Sequence, residues 1–392
     1  MIRQSSLANK VKWSAAALIV AAGTLLAMGP ATATAKPAKK SAGWSIVPSP
    51  NTEAARLFGV SCPDSTDCEA VGSHGFDTFV ERQSGSTWSV TPSPTPGSAT
   101  DSPLLAVSCA GPSDCMAVGY SLLPSTPSDS LPMEPLAEWW NGSTWSITST
   151  INVNGGPVQE SEFEGVSCTE GTGADAISCV AVGRTNVGAL IETWDGSAWS
   201  LSVGPLNEVM AQLAQVSCPT QGQCMAVGNG NSGNFALQLS QGNWSTTTTP
   251  DPSGTYDNVL TGVSCPITND CVAVGAYPSR SKPLPAWKAI KWLNDSWSAA
   301  GALLNSSANL TSVRCPLTTA CVAVGSKEKN VNKPKTLVER WNGTGWSPTS
   351  SPSPAGGARL SDVSCPSDDH CIAVGGRNVF GTGAPLIESG PS

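Results

Sequence analysis

The sequence has few of the residues on which most metal centres and many active sites depend. It contains two histidines, His74 and His370, and three tyrosines in 392 residues, and none of its cysteines are spaced as C-x-x-C. A structural zinc site needs four ligands, and redox dithiols commonly use C-x-x-C. The sequence therefore gives no support to a repeated zinc site or a redox centre, and we predict no metal and no cofactor.

Long apolar runs are also scarce, and the one that is present lies near the amino terminus. Three basic residues precede an apolar run over residues 15–28, and ATATA follows it. This is the arrangement of a secretory signal peptide, cut most simply after Ala35. A membrane anchor is the alternative, but a spanning helix needs about 20 apolar residues. We predict a signal peptide over 1–35, a linker over 36–42 and a secreted, extracellular domain over 43–392.

Charged residues are sparse, at 13% of the chain, and acidic residues are in excess. Loss of residues 1–35 would remove three of the 21 basic residues and no acidic one, which leaves 18 basic against 29 acidic residues and a formal net charge of −11. A diffusely acidic protein is a poor partner for nucleic acid or an anionic membrane. The charge therefore argues against both of these partners.

The feature that is abundant is cysteine, in a pattern that repeats about every 50 residues. Seven pairs are present, and a valine stands two residues before each first cysteine. Ala-Val-Gly follows each second cysteine after one residue, and Trp-Ser occurs seven times from Trp44 onward. A period of this length indicates a repeat architecture. The pairs are Cys62 and Cys68, Cys109 and Cys115, Cys168 and Cys179, Cys218 and Cys224, Cys265 and Cys271, Cys315 and Cys321, and Cys365 and Cys371.

Each repeat is predicted to form four β-strands. The fifth repeat shows the first two strands at 260–265 and 271–275, and the sixth shows the others at 336–343 and 345–349. The third and fourth strands are joined by steps such as Asn-Gly and Asp-Gly, which are strong hairpin signals. Four antiparallel strands per repeat fit a propeller blade, although an open stack of sheets is the alternative.

The phase of the repeat favours a closed ring over an open stack. The predicted domain begins with a lone fourth strand at 43–48 and ends with a blade that lacks one. Closure of a ring would pair these segments and leave no exposed sheet edge. We therefore predict an all-β, seven-bladed β-propeller with four antiparallel strands per blade, in which the N-terminal strand completes the last blade.

The cysteines of each pair would then face each other at adjoining ends of the first and second strands. Opposed residues in an antiparallel pair have Cα atoms about 4.5 to 5.5 Å apart, within the range of a disulfide. Cysteines of an exported protein are expected to pair in this way. We predict one disulfide in each blade.

The repeat resembles two known groups of proteins. The second strand ends in Gly or Gly-Gly, as in IAVGG at 372–376, and a tryptophan opens the fourth strand, as in GWS at 345–347. These features are similar to those of kelch-like and galactose-oxidase-type propellers. The tandem SCxxxxxCxAVG pattern resembles that of secreted actinobacterial repeat proteins. The resemblance implies a propeller over about 43–392 but no particular activity, because propellers have many functions.

The tryptophans and the loops suggest where a ligand would bind. We predict that the Trp-Ser tryptophans are core anchors between blades, although tryptophans also serve as platforms for sugars. The loops between the second and third strands and between blades vary greatly and share one face of the ring. Variable loops on a rigid scaffold are common binding sites, and neutral drift is the alternative explanation.

Basic residues cluster in two of these variable loops. We predict that, together with Trp287, they form a rim that binds an anionic glycan or wall polymer. A solvated surface without a ligand is the commoner origin of such a cluster and is the alternative. The predicted binding residues are Arg280, Lys282, Trp287, Lys327, Lys329, Lys333 and Lys335.

The function predicted from the sequence is that of a secreted, non-enzymatic binding module, monomeric, with an extracellular glycan or protein as its ligand. One alternative is a glycosidase or lyase, in which carboxylates such as Glu160 and Glu162 would pair on the variable face. A structural protein of the cell exterior is the other. A glutamate recurs at one third-strand position, which indicates a structural role, and we predict no catalytic residue. These glutamates are Glu81, Glu138, Glu192, Glu339 and Glu388.

Overall fold

The described region of the protein consists of β-strands joined by turns and loops. In this region, 28 strands form seven four-stranded antiparallel sheets. It contains no helix that is long and apolar enough to cross a membrane. The computed structural model describes residues 43–51, 53–125, 132–151, 160–171, 177–202, 211–231, 233–250, 259–276, 289–301, 308–327, 333–378 and 383–392.

Each sheet is one blade, and six of the seven take their strands consecutively from the chain. Blade 1 contains β2 (Ala55–Ser61), β3 (Asp67–His74), β4 (Asp77–Ser84) and β5 (Thr87–Thr91). Blade 2 contains β6 (Leu104–Gly111), β7 (Asp114–Leu122), β8 (Met133–Trp140) and β9 (Trp145–Thr148). Blade 3 contains β10 (Ser161–Glu170), β11 (Ile177–Thr185), β12 (Gly188–Trp194) and β13 (Trp199–Leu201). Blade 4 contains β14 (Gln212–Thr220), β15 (Gln223–Gly230), β16 (Gly233–Ser240) and β17 (Asn243–Thr247).

Blades 5 and 6 also follow the order of the chain, whereas blade 7 combines strands from both ends of the domain. Blade 5 contains β18 (Val259–Ile267), β19 (Asp270–Ala276), β20 (Ala289–Leu293) and β21 (Ser296–Ala299). Blade 6 contains β22 (Ala308–Leu317), β23 (Ala320–Lys327), β24 (Lys335–Trp341) and β25 (Trp346–Thr349). Blade 7 contains β26 (Ala358–Ser367), β27 (His370–Arg377), β28 (Ala384–Gly390) and β1 (Ser45–Val47).

The ring is closed by pairing β1 with β28. Ser45 lies opposite Ser389, and Val47 lies opposite Ile387, in an antiparallel register. The preceding Trp44 is buried against residues of blades 6 and 7. The predicted closure is therefore confirmed, as are the seven blades of four antiparallel strands.

The core lies between the blades rather than within any one of them. Each of seven apolar clusters joins residues of two adjacent blades, and the series runs fully around the ring. All seven Trp-Ser tryptophans belong to these clusters and are only 5% to 8% exposed. The prediction that they anchor the core is confirmed. They are Trp44, Trp88, Trp145, Trp199, Trp244, Trp297 and Trp346.

The first strand of each blade is the innermost one, because it contacts the first strands of both neighbouring blades. It is joined to the second strand by the predicted disulfide, and the Cα atoms of every cysteine pair are 4.0 to 4.1 Å apart. All fourteen cysteines are paired. The prediction of one disulfide per blade is confirmed.

The glycine of each Ala-Val-Gly step allows a close approach between the first two strands. A Cβ atom at Gly275 would lie 1.9 Å from the carbonyl oxygen of Val259 on β18. The equivalent glycines of the other six blades would place a Cβ atom 1.8 to 2.1 Å from the matching oxygen. No other residue type fits there without moving the backbone, which explains why the step is repeated in every blade.

Candidate functional site

The ring has two faces that carry different loops. The disulfide face carries the turns between first and second strands and the hairpins between third and fourth strands. The variable face carries the turns between second and third strands and the connections between blades. Because neighbouring strands are antiparallel, the start of each first strand and the end of each second strand lie at the variable face.

The predicted basic rim is only partly within the described residues. Lys327 ends β23 and lies opposite Lys335, the first residue of β24. Lys333 and Lys335 are exposed, and Lys327 is half-buried. Blade 6 therefore brings three predicted binding residues to one edge of the variable face. The others, Arg280, Lys282, Trp287 and Lys329, lie outside the described residues.

Three arginines that were not predicted extend this basic region into blades 7 and 1. Arg377 ends β27, six residues after the second cysteine, which is the position that Lys327 holds in blade 6. Arg359 and Arg56 each lie six residues before the first cysteine of their blades and are exposed. We call these residues and the three lysines the cationic arc: Arg56, Lys327, Lys333, Lys335, Arg359 and Arg377.

One of these repeat positions carries an acidic residue in blade 3. Glu162 holds the position that Arg56 holds in blade 1, and it accepts a hydrogen bond from Arg184 Nε. Arg184 Nη1 also lies 4.0 Å from a carboxylate oxygen of Glu160. The cationic arc thus lies on blades 6, 7 and 1, whereas blade 3 places Glu160 and Glu162 beside Arg184.

Glu160 and Glu162, which the alternative of a glycosidase or lyase would pair on the variable face, lie beside one arginine. Both form ion pairs with Arg184. Glu164 lies two residues further along β10 and accepts a hydrogen bond from Gln212. Burial, together with the charge of Glu162, raises the pKa of Glu164 to about 7, although Gln212 and Arg184 oppose the shift. Glu164 is the carboxyl group of this cluster that can carry a proton near neutral pH.

The recurring third-strand glutamates link adjacent blades. Glu138 of blade 2 is fully buried and accepts a 2.6 Å hydrogen bond from Ser93 Oγ, in the segment that leaves blade 1. Burial raises the pKa of Glu138 to about 8, against the opposing effect of that hydrogen bond. Ser49 and Ser351 make the same contact with Glu81 and Glu388, at 2.7 Å in each case. Their buried positions agree with the structural role that we predicted.

The disulfide face contains a ring of serines whose role was not predicted. In six blades the residue before the first cysteine is a serine, and its Oγ accepts a hydrogen bond from the cysteine N–H of the next blade. For example, Cys109 N–H donates to Ser61 Oγ at 3.0 Å, and Cys315 N–H donates to Ser264 Oγ at 3.0 Å. The other four bonds measure 2.9 to 3.0 Å. This ring joins the inner strands around the channel.

Blade 6 interrupts the serine ring. Its sequence is Val-Arg-Cys where the other six blades have Val-Ser-Cys, and Arg314 takes the place of the serine. The first cysteine of every blade, five of the serines, five prolines, Ala110 and Arg314 line a cavity of about 380 Å³ at this end of the channel. The substitution is visible in the sequence, but only the structure shows that it interrupts a ring of hydrogen bonds between blades.

Seven four-stranded blades around a central channel define the class of this protein as a seven-bladed β-propeller. Three solved structures are similar to this chain over most of its length. YCF48 bound to D1 peptide has a TM-score of 0.57 and 14% identity, over 91% of this chain and 97% of its own. YCF48 from Cyanidioschyzon merolae has a TM-score of 0.53 and 14% identity, over 89% and 98%. The WD40 propeller domain of Doa1 has a TM-score of 0.54 and 9% identity, over 88% and 97%.

At these identities the similarity shows the fold alone. No protein-family model matches the sequence, and no curated protein matches it. The function must therefore be inferred from this chain's own residues.

Proposed function

We propose that this protein is a secreted, non-enzymatic interaction module that binds an anionic extracellular polysaccharide through the cationic arc. Propellers of this size serve as binding scaffolds, and one similar structure is a propeller bound to a peptide. Seven disulfides suit an oxidising, extracellular compartment. Kinship with the secreted actinobacterial repeat proteins and with kelch-like propellers belongs to the same proposal.

The segregation of charge on the variable face carries this proposal. The chain has 29 acidic and 21 basic residues, yet three adjacent blades present lysines and arginines on this face. Lys327 and Arg377 share one repeat position, and Arg359 and Arg56 share another. Such an arc attracts a polymer with closely spaced carboxylates or sulfates, and the attraction weakens as salt screens it. The carboxylates of blade 3 repel the same polymer and confine it to the basic side.

A matched pair of charge reversals on one strand tests the proposal. Lys335→Glu changes the variable-face end of β24, and Arg340→Glu changes the same strand nearer the disulfide face. We expect the disulfide-bonded protein to bind immobilised polygalacturonate and to bind neutral dextran much less. Lys335→Glu should weaken binding about tenfold, a loss of about 1.4 kcal/mol, and Arg340→Glu should have little effect.

The same measurement gives the results that would reject the proposal. Absence of binding to polygalacturonate at low salt, or equal loss in the two variants, would show that the cationic arc is not the binding surface. Binding to an acidic peptide such as poly-glutamate, without binding to polygalacturonate, would replace the polysaccharide with a protein ligand.

A carbohydrate-active enzyme is the second candidate, and the glutamates of β10 favour it. Glu164, whose pKa is raised to about 7 mainly by burial, lies near Glu162, which accepts a hydrogen bond from Arg184. A carboxyl group that can hold a proton near neutral pH, beside a second carboxyl group bound to an arginine, suits general acid–base catalysis. If this candidate is right, Glu164→Gln lowers the release of reducing sugars from a polysaccharide at least about 100-fold, and Glu170→Gln on the same strand does not. Absence of sugar release by the wild-type protein would eliminate the candidate.

A further inference from the structure

Arg314 lies in the cavity of the disulfide face without a partner for its guanidinium group. A guanidinium has five N–H donors. Among the described residues, Arg314 makes no hydrogen bond and no ion pair, although its side chain is exposed to the cavity. A permanent cation that lines a polar cavity and lacks partners is suited to receive an anion.

The nearby Asp362 does not supply that anion. It lies on β26 of the adjacent blade and acts on Arg314 only through its charge. Its Oδ1 accepts a 2.6 Å hydrogen bond from Ser312 Oγ, and its Oδ2 accepts a 2.9 Å hydrogen bond from Val60 N–H. Neither oxygen forms an ion pair with Arg314 among the described residues, and burial raises the pKa of the Asp362 carboxyl group.

The serine ring adds further donors to the same cavity. The Oγ of Ser264 accepts a hydrogen bond from the next blade, which leaves its hydroxyl proton available to a ligand. The same holds for the other serines that line the cavity, and none of their hydroxyls donates a hydrogen bond to a described residue. These serines are Ser61, Ser108, Ser167, Ser217 and Ser264. Arginine and hydroxyl donors around one space match the acceptor oxygens of an oxyanion.

From this geometry we propose that the cavity of the disulfide face binds a small oxyanion, a phosphate or carboxylate group, through Arg314 and the surrounding serine hydroxyls. The cavity of about 380 Å³ is large enough for a small molecule that carries such a group. The guanidinium binds two oxygens of the anion side by side, and the hydroxyls contact the remaining oxygens. This site lies on the opposite face from the cationic arc and is independent of it.

The sequence itself supplies the variant that tests this site. Arg314→Ser restores the residue that the other six blades have at this position, so we expect it to fold and to accept a hydrogen bond from Cys365 N–H. Arg340→Ser removes the same charge from the same blade, away from the cavity. Isothermal titration with inorganic phosphate and with citrate measures the binding of each oxyanion to the wild-type protein and to both variants.

We expect the wild-type protein to bind at least one of the two oxyanions at millimolar or lower concentration. Arg314→Ser should weaken that binding about tenfold or more, because a charged donor pair is lost, and Arg340→Ser should leave it unchanged. The preference between phosphate and citrate identifies which oxyanion the cavity accepts. Absence of binding to both, or retention of binding by Arg314→Ser, would overturn the proposal.

One further variant separates this site from the variable face. Lys335→Glu should leave oxyanion binding unchanged, so failure of the polysaccharide proposal and failure of this one are distinguishable.

Discussion

The two faces of the ring differ in how closely the seven blades repeat one another. On the disulfide face, six blades have the same serine and all seven have the same cysteine pair, and the only departure among the serines is Arg314. On the variable face, equivalent positions carry arginine in blades 1 and 7 and glutamate in blade 3. The comparison shows that uniform positions hold the blades together, and it directs the search for a binding site to the positions that depart from uniformity.

A glycine at one of the uniform positions gives the largest expected effect. Gly275→Ala places a methyl group within 2 Å of a backbone oxygen, so the first two strands of blade 5 must separate. We expect a loss of about 3 kcal/mol in the free energy of unfolding, measured by urea denaturation. Gly325→Ala, at the same position in blade 6, should cost a similar amount.

Gly345 provides the control for that measurement. A methyl group at Gly345 meets no atom within 4 Å, so Gly345→Ala should change stability by less than about 0.5 kcal/mol. A small loss at Gly275, or a large difference between Gly275 and Gly325, would show that the blades are not equivalent in their inner strands.

A smaller effect is expected from the third-strand glutamates, which are present in blades 1, 2, 3, 6 and 7 but replaced by Leu237 and Ile290 in blades 4 and 5. The pKa of Glu138 is raised by burial to about 8 in the folded protein, so its stabilising contribution is fully present below the unfolded value near 4.5. It is lost progressively as pH rises from that value through 8. We expect Glu138 alone to lower the free energy of unfolding by about 2 kcal/mol between pH 5 and pH 7.

Glu138→Leu sharpens this comparison, because it gives blade 2 the residue that blade 4 has at the same position. Thermal unfolding followed from pH 5 to pH 8 should show a weaker pH dependence in this variant than in the wild-type protein. An unchanged pH dependence would mean that Glu138 is ionised in the folded state and that other groups account for the slope.

Most of the fold was predictable because its determinants are local and repeated. The cysteine spacing, the Trp-Ser steps and the hairpin glycines each specify a strand or a turn within a few residues, and seven copies make the pattern unambiguous. The lone strand at 43–48 showed how the ring closes. These features need no knowledge of how one blade contacts another.

The sites were less predictable because they depend on contacts between blades. The lysines of blade 6 were found as a cluster in sequence, whereas Arg56, Arg359 and Arg377 join them only when blades are aligned by their cysteines. Arg314 stands out only once the serine it replaces is seen to cap the next blade's cysteine N–H. Arg184 lies directly opposite Glu162 across two strands, a pairing that requires the register of β10 and β11.

The pairing of β1 with β28 also determines how the molecule would respond to mechanical force. Trp44, at the start of β1, lies beside Gly390, at the end of β28, so a pull on both termini acts at the same end of this strand pair. In that geometry the force acts on one backbone hydrogen bond at a time, so the bonds between β1 and β28 break one after another. Tension on the chain would therefore open the propeller at blade 7 first, while the bridged hairpins of the other six blades stay shut.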